Sequence, residues 1–353
     1  MGLPSKAKEG RWLFLDAIRG LAAMAVVIQH VFWFVSPGYE NFFATIWSPG
    51  RFGVVAFFIV SGFVVPQSLE VKKDVQAFWI SRFYRLFPAY WVSLLLIALV
   101  QIAGLAWHPP YDKKYLLQWA VNFTMLQGFV RMPDINPVAW TLGLEMALYG
   151  AITVAFVKGF LKKTWAISLI LLTTLAFASL VLPGVLHIRF PAGAAAVCGS
   201  IVLGLTLFRW FTGELSKRDA TIIGSLCLAI TLLSSMVNYS AQRLANDDLQ
   251  PTQLCAILSV ITGYAFFLVM LGWRRDSYPG WILWLGKVSY SLYLLHPLTG
   301  MIVPHTVQPY LRAGIEIVLS LILAWAGYTF VEAPCMTQVK KVWARRAKPQ
   351  PVV

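Results

Sequence analysis

The stretch WLFLDAIRGLAAMAVVIQHVFWF, residues 12–34, decides the fold class of this protein. It is apolar over a length that crosses a bilayer, because about 20 helical residues cover the hydrocarbon core. It also contains Asp16, Arg19 and His30. It is longer than the apolar core of a secretory signal peptide, which has about 7–15 residues. We therefore interpret it as a retained first transmembrane helix.

Similar apolar stretches recur along the whole chain of 353 residues. Hydrophobic residues make up 58% of it and charged residues 12%, about half the charged fraction of an ordinary soluble domain. This pattern predicts an all-α, polytopic membrane helical bundle with about 10 transmembrane helices. The predicted spans are residues 12–34, 52–68, 88–106, 138–157, 164–182, 191–208, 219–238, 252–272, 282–303 and 312–331. Residues 1–335 are expected to form the membrane-embedded domain, and residues 336–353 a basic cytoplasmic tail.

The basic residues predict the orientation of these spans. If the N-terminus is cytoplasmic, Lys and Arg are about three times as frequent in the inner segments as in the outer ones, as the positive-inside rule requires. Both termini are therefore predicted to be cytoplasmic. The net charge of +14 is accounted for by these short loops. Membrane lipids are expected as partners, and nucleic acid is not.

Two connections are predicted to be more than loops. Residues 69–87 mix aromatic and basic side chains, which is typical of an amphipathic helix at the cytoplasmic interface. Residues 107–137 contain an apolar run between prolines, which predicts a short interfacial or re-entrant helix on the outer side.

The four cysteines indicate neither a disulfide framework nor a metal site. None of them belongs to a Cys-x-x-Cys pair, and three lie inside predicted spans. They are Cys198, Cys227, Cys255 and Cys335. No metal is therefore expected.

Ionisable residues at membrane depth indicate a functional site, because they are costly there. His30 follows Arg19 by eleven residues, so the two side chains share one face of the first helix, about 16 Å apart along its axis. Asp16 lies one turn before Arg19 and is able to pair with it. The alternatives are an arginine that extends to the interface and a histidine that is satisfied within the bundle.

The fourth predicted span also carries an ionisable residue, Glu145. Thr141, Glu145 and Tyr149 are spaced by four residues and share one face. Glu145 lies about two turns inside the span, a depth similar to that expected for His30. A carboxylate there would stabilise a protonated imidazole. The alternative is a glutamate with a structural hydrogen bond.

Two further spans contain polar residues. Ser289, Tyr293 and His296 form a stripe on the ninth span, and Pro297 is expected to kink that helix. The alternative for His296 is a bond to the kinked backbone. Ser61 precedes a glycine in the second span, which permits close packing or close approach of a substrate. Because the chain lacks a Gly-x-Ser-x-Gly elbow, Ser61 is not expected to be a covalent nucleophile.

The predicted inner side carries a group of cations. Arg82 and Arg85 lie one turn apart, and with Arg19 and Lys287 they would form a cationic cup. Arginine suits phosphate, because its planar fork makes two parallel hydrogen bonds. The alternative is ordinary positive-inside charge. Glu332 is placed to anchor one of these arginines.

Six segments together resemble the acyltransferase-3 family of membrane O-acyltransferases, which includes O-antigen and exopolysaccharide acetylases. They occur in family order and at family spacing over the whole chain. They are LDAIRGLAAMAVVIQH (15–30), FFIVSGFVV (57–65), SRFYRLFPAYW (81–91), WTLGLEMALY (140–149), LGKVSYSLYLLHPL (285–298) and VEAP (331–334).

The resemblance implies a function and assigns residues to it. It implies transfer of an acyl group, usually acetyl from acetyl-CoA, to a hydroxyl of a glycan, a lipid-linked sugar or a secondary metabolite at the bacterial inner membrane. It implies that His30 is the catalytic base, that Glu145 supports it, and that Arg19, Arg82 and Arg85 engage acyl-CoA. The predicted substrate-binding residues are Ser61, Trp140, Tyr149, Tyr293 and His296. Some relatives carry a C-terminal extracytoplasmic hydrolase-like domain, which this chain is expected to lack.

Two questions stay open at the level of sequence. The acyl group could pass directly to the acceptor or through an acyl-His30 intermediate. A proton-coupled transporter of small molecules is the alternative function, since about ten spans with few buried charges also suit a carrier.

Overall fold

The computed structural model describes residues 12–106, 113–186, 192–243 and 252–346. These residues are helical apart from short connections. The helices are α1 (Leu13–Trp33), α2 (Pro37–Thr45), α3 (Pro49–Lys72), α4 (Val75–Ile102), α5 (Lys113–Asn122), α6 (Trp140–Val157), α7 (Thr164–Ala176), α8 (Leu182–Leu186), α9 (Ala192–Phe211), α10 (Lys217–Arg243), α11 (Gln253–Gly272), α12 (Gly280–Ile302), α13 (Pro309–Gly327) and α14 (Ala333–Arg346). A 3-10 turn covers Gln127–Val130, and π-helical turns at Phe177–Val181 and Tyr328–Glu332 join α7 to α8 and α13 to α14.

The helices confirm the prediction of a polytopic all-α membrane bundle. Within the described ranges, nine helices are long and apolar enough to cross a membrane. Helix α12 occupies the predicted ninth span but is not among the nine. Its polar residues lower its hydropathy, and they include Lys287 and His296. Most of its residues from Val288 to Leu298 are buried, and a helix shielded from lipid can contain polar side chains.

The prediction of a separate interfacial helix over residues 69–87 is wrong. Helix α3 continues to Lys72, and α4 runs without interruption through Pro88. The turn between them places Lys73 at φ 52°. Asp74 begins α4, because its carboxylate accepts a hydrogen bond of 3.0 Å from the Ala77 amide. A proline removes one helical hydrogen bond, which α4 tolerates in the middle of a 28-residue helix.

Three further segments bear on the predicted organisation. Helix α5 supplies the short helix expected within residues 107–137, of which 107–112 lie outside the described residues. Helix α2, between the first two spans, was not predicted. Residues 336–346 of the predicted tail belong to α14, and 347–353 lie outside the described part of the chain.

The chain divides into two compact units. Unit 1 comprises Met1–Gln67 and Tyr149–Ser289, and unit 2 comprises Ser68–Leu148 and Tyr290–Val353. All three boundaries between the units fall within helices, so α3, α6 and α12 each contribute residues to both units.

Unit 1 has an aromatic core around Phe63 of α3. Its ring lies 5.5 Å from that of Trp12, 5.4 Å from that of Phe208 and 5.8 Å from that of Phe267, between centroids. Phe14 joins the same group at 6.1 Å. These contacts tie α1, α3, α9 and α11 together, because aromatic rings bury large areas in specific geometries.

Helices α3 and α9 of unit 1 approach each other at two glycines. A Cβ atom on Gly62 would overlap the backbone carbonyl of Ile201, and one on Gly204 would overlap the carbonyl of Ile59. Small residues allow such close backbone contact between membrane helices, where packing replaces the hydrophobic effect as the source of association.

Unit 2 is held together by hydrogen bonds from side chains to helix backbones. The Tyr90 hydroxyl of α4 donates to the Asn122 carbonyl at 2.8 Å. The Tyr290 hydroxyl of α12 donates to the Leu86 carbonyl, also at 2.8 Å. Helix α14 and the π-helical turn before it pack on α4. Polar groups at membrane depth need such partners, since no water is available there.

Candidate active site

Helix α1 holds the first group of predicted site residues. Arg19 Nη1 lies 3.9 Å from Asp16 Oδ1, which confirms the predicted pairing. Asp16 is buried and Arg19 is half-buried. His30 lies in the last turn of the same helix and is exposed.

The hydrogen bond of His30 fixes its tautomer. His30 Nδ1 lies 2.9 Å from the carbonyl oxygen of Val26. A carbonyl only accepts, so Nδ1 carries the proton and Nε2 is the basic nitrogen of the neutral ring. The helix thus presents His30 as an exposed residue with a fixed tautomer, and a general base needs a basic nitrogen within reach of its substrate.

His296 of α12 has the same hydrogen-bond pattern in a different setting. Its Nδ1 lies 3.1 Å from the Leu292 carbonyl, but only 2% of the residue is accessible. This contact corresponds to the structural alternative for His296, a bond to its own helix backbone. Accessibility therefore favours His30 over His296 as the base that meets a substrate.

The first turns of α4 carry the arginines that were predicted on an interfacial helix. Arg82 Nη2 donates a hydrogen bond of 2.6 Å to Ser68 Oγ, and its guanidinium lies 5.3 Å from the centre of the Phe78 ring. Lys72 Nζ donates to Ser81 Oγ. Arg82 and Arg85 are half-buried. Sequence reasoning placed these arginines together, but it did not identify Ser68 as a partner of Arg82 or the contribution of Lys72.

Four of the predicted residues lie on α6. Trp140 begins the helix and is exposed, Glu145 is half-buried one turn after Thr141, and Tyr149 is fully buried. Thr141 Oγ1 lies 2.9 Å from the hydroxyl of Tyr293 on α12. In unit 2, the structure therefore brings Tyr293 beside the face of α6 that carries Thr141 and Glu145.

Two other predicted residues, Ser61 and Glu332, lie near helix contacts within their own units. Ser61 is half-buried on α3, directly before Gly62, where α3 approaches α9. Glu332, at the end of the π-helical turn, is buried and accepts a hydrogen bond of 3.1 Å from Ser291 Oγ.

The segment between α5 and α6 contains a polar network that sequence reasoning missed. Asn122, Gln127 and Asn136 are fully buried. Asn136 Nδ2 donates to Ser93 Oγ and to the Leu294 carbonyl, each at 3.0 Å. Buried amides are unusual, and three amide residues between positions 122 and 136 were the available signal.

The same segment contains a carboxyl group outside the spans. Burial raises the pKa of Asp134 above its ordinary value, and a hydrogen bond of 2.7 Å from Gln127 Nε2 to Asp134 Oδ1 opposes this rise. The larger effect is burial, so the charged form of Asp134 is disfavoured. Among the described residues, no group of three His, Cys, Asp or Glu side chains is arranged to hold a metal ion.

Comparison with known proteins identifies the family. The family described as an acyltransferase domain matches residues 12–331. The chain is 27% identical to a peptidoglycan O-acetyltransferase, OatA, of Listeria monocytogenes over 91% of its own length and 55% of that protein. It is 24% identical to a putative peptidoglycan O-acetyltransferase, YrhL, of Bacillus subtilis over 94% and 56%. It is also 27% identical to nodulation protein 10 of Rhizobium leguminosarum over 42% and 45%.

The matches cover only part of the length of these relatives. The chain spans about half the length of the curated relatives it matches along most of its own sequence. No solved structure matches it significantly. The family match nevertheless covers most of the chain, from the first span to the π-helical turn after α13. This multi-pass membrane protein therefore belongs to the acyltransferase-3 family.

Proposed function

We propose that this protein is a membrane O-acetyltransferase that moves an acetyl group from acetyl-CoA to a hydroxyl of a glycan. Family membership supports acyl transfer, and the names of the two long relatives support acetyl as the group and a cell-wall glycan as the acceptor. The observation that carries the proposal is the His30 imidazole. It is accessible, and its bond to Val26 leaves Nε2 as the basic nitrogen.

His30 acts as the general base in this reaction. Nε2 takes the proton of the acceptor hydroxyl while the hydroxyl oxygen bonds to the acetyl carbon. The carbon–sulfur bond of the thioester then breaks, and the imidazolium returns the proton to the CoA thiolate. General-base assistance of this kind typically contributes about 10²–10⁴-fold to the rate.

Glu145 stays the residue predicted from the sequence to support the imidazolium of His30. A carboxylate favours a nearby positive charge, most strongly where water is scarce. The half-buried position of Glu145 on α6 suits this role.

The arginines bind the phosphates of acetyl-CoA. Arg82 is held by Ser68 and lies against Phe78, so little side-chain entropy remains to be lost when it binds an anion. Arg85, three residues after Arg82 on α4, adds positive charge, and the role predicted for Arg19 stays a prediction. The acceptor contacts predicted for Ser61, Trp140, Tyr149 and His296 stay predictions.

His30→Ala tests the proposal. We expect it to abolish acetyl transfer, because it removes the base and leaves helix α1 intact. The wild-type protein and the variant are expressed in cells, and base-labile acetate on purified cell-wall glycan is measured by mass spectrometry. The matched control is Ile28→Ala, which truncates an exposed side chain of the same helix and should retain activity.

Full glycan acetylation by His30→Ala at equal protein level would overturn the assigned base. If the wild-type protein adds no acetate to glycan and consumes no acetyl-CoA in purified form, the proposed function itself is wrong.

A further inference from the structure

The side chain of Tyr293 is buried, and its hydroxyl contacts other residues of the protein. Only 7% of the surface of Tyr293 is accessible. Its hydroxyl donates to the Val138 carbonyl at 3.0 Å and lies 2.9 Å from Thr141 Oγ1. Thr141 Oγ1 is also 3.0 Å from the same carbonyl. Two hydroxyls and one carbonyl therefore form a closed triangle at the start of α6.

Asn136 adds a second connection beside this triangle. Its amide nitrogen donates to the Leu294 carbonyl, at the residue that follows Tyr293, and to Ser93 Oγ of α4. Its amide oxygen accepts from the Val138 backbone N–H at 3.3 Å. Adjacent residues of α12 are thus tied to Asn136 and Val138, which precede α6, and to Thr141 in its first turn.

Glu145 lies one helical turn after Thr141 on the same face. A turn of α-helix advances the chain by about 5.4 Å, so any rotation or shift at Thr141 is passed directly to Glu145. The position of the Glu145 carboxylate therefore depends on the contacts at the start of its helix.

We propose that Tyr293, with Thr141 and Asn136, is a positioning residue that fixes the rotation and depth of Glu145. This assignment rests on the proposed function, and it replaces the predicted substrate contact of Tyr293. Tyr293 acts through Glu145 and touches neither acetyl-CoA nor the acceptor. A catalytic carboxylate must be held within a fraction of an ångström by such supporting bonds to be effective.

The test compares Tyr293→Phe with Tyr290→Phe. Each removes a tyrosine hydroxyl of α12 that donates to a backbone carbonyl, but Tyr290 bonds to Leu86 of α4 and not to α6. The purified proteins are assayed with acetyl-CoA and a muropeptide. We expect Tyr293→Phe to lower kcat about tenfold, the factor that one lost hydrogen bond of typical strength corresponds to. The KM values for both substrates should not change, and Tyr290→Phe should retain the wild-type kcat.

A second variant covers the case in which Tyr293→Phe fails to accumulate. Thr141→Val keeps the shape of the side chain, removes the other hydroxyl and should lower kcat by a similar factor. The kcat of the double variant should be no lower than that of either single variant, because both hydroxyls belong to one hydrogen-bonded group at the Val138 carbonyl.

Three results would overturn this inference. They are a raised acceptor KM with an unchanged kcat in Tyr293→Phe, an equal loss in Tyr290→Phe, or full activity in both Tyr293→Phe and Thr141→Val. Failure of the proposed function is a separate result, because the wild-type protein itself would then consume no acetyl-CoA and acetylate no glycan.

Discussion

At the scale of single residues, hydrogen-bond chemistry separates the two histidines that the sequence placed in spans. Both donate through Nδ1 to a backbone carbonyl four residues earlier. His30 is exposed and His296 is buried. The same local bond thus leaves one imidazole available to a substrate and the other enclosed.

Asp134 gives a residue-scale prediction about pH. Its pKa is raised in the folded protein by burial, so its contribution to stability is full below the unfolded value of about 3.9 and is lost as the pH rises through the folded value. Asp134→Asn cannot ionise, and its side-chain oxygen still accepts from Gln127. We expect the variant to unfold at a higher temperature than the wild type at neutral pH and at the same temperature near pH 4.

The control for this prediction is Asp276→Asn, which changes an exposed carboxyl in the α11–α12 connection and should leave the melting temperature unchanged. Thermal unfolding is measured in nanodiscs. An equal effect of Asp134→Asn at both pH values would show that its ionisation does not affect stability.

At the scale of helices, close packing and continuity decide how unit 1 is built. Helix α3 approaches α9 through Gly62 and Gly204, and it also carries Phe63 into the aromatic core. Helix α3 therefore provides both a glycine, Gly62, and a large aromatic ring, Phe63, at neighbouring positions. This alternation lets backbones touch on one side while rings fill space on the other.

Gly62→Ala tests this interface. Its Cβ atom would overlap the backbone of Ile201, so α3 and α9 must separate. Overpacking of this kind costs about 1–3 kcal/mol. Gly150→Ala is the matched control, because a Cβ atom there meets no atom within 4 Å. The free energy of unfolding in mixed micelles should fall for Gly62→Ala and not for Gly150→Ala, and equal values for the two variants would contradict the close approach.

At the scale of the whole molecule, apolar helices and charged connections define a multi-pass protein. Nine helices of the described residues meet the length and hydropathy of a membrane span, and α12 occupies the remaining predicted span. The chain orientation stays a prediction from the basic residues. It places the α11–α12 connection inside and the α5 segment outside.

Cysteine labelling in intact cells tests this orientation. Lys114→Cys in α5 and Ser277→Cys in the α11–α12 connection change exposed residues. A membrane-impermeant maleimide should label Lys114→Cys in intact cells and Ser277→Cys only after permeabilisation. The wild-type protein gives the background from its own cysteines, and the reverse labelling pattern would mean that the termini lie outside.

The sequence by itself determined the class of the protein, the central part of each span and its family. Hydropathy and the helical period are local properties, so residues 12–34 define a span, and Arg19 and His30 share a face, whatever surrounds them. The ordered motifs identified the family for the same reason, since each is read from a few adjacent residues.

Tertiary structure decided how these residues are held. The partner of Arg82 is Ser68, the pairing of Tyr293 with Val138 joins residues 155 positions apart, and Asn136 reaches Leu294 over 158 positions. Contacts between distant residues depend on how complete helices pack, and no local pattern encodes them. The uninterrupted path of α4 through Pro88 was likewise unpredictable, because a proline breaks or spares a helix according to the partners that its neighbours find in the folded chain.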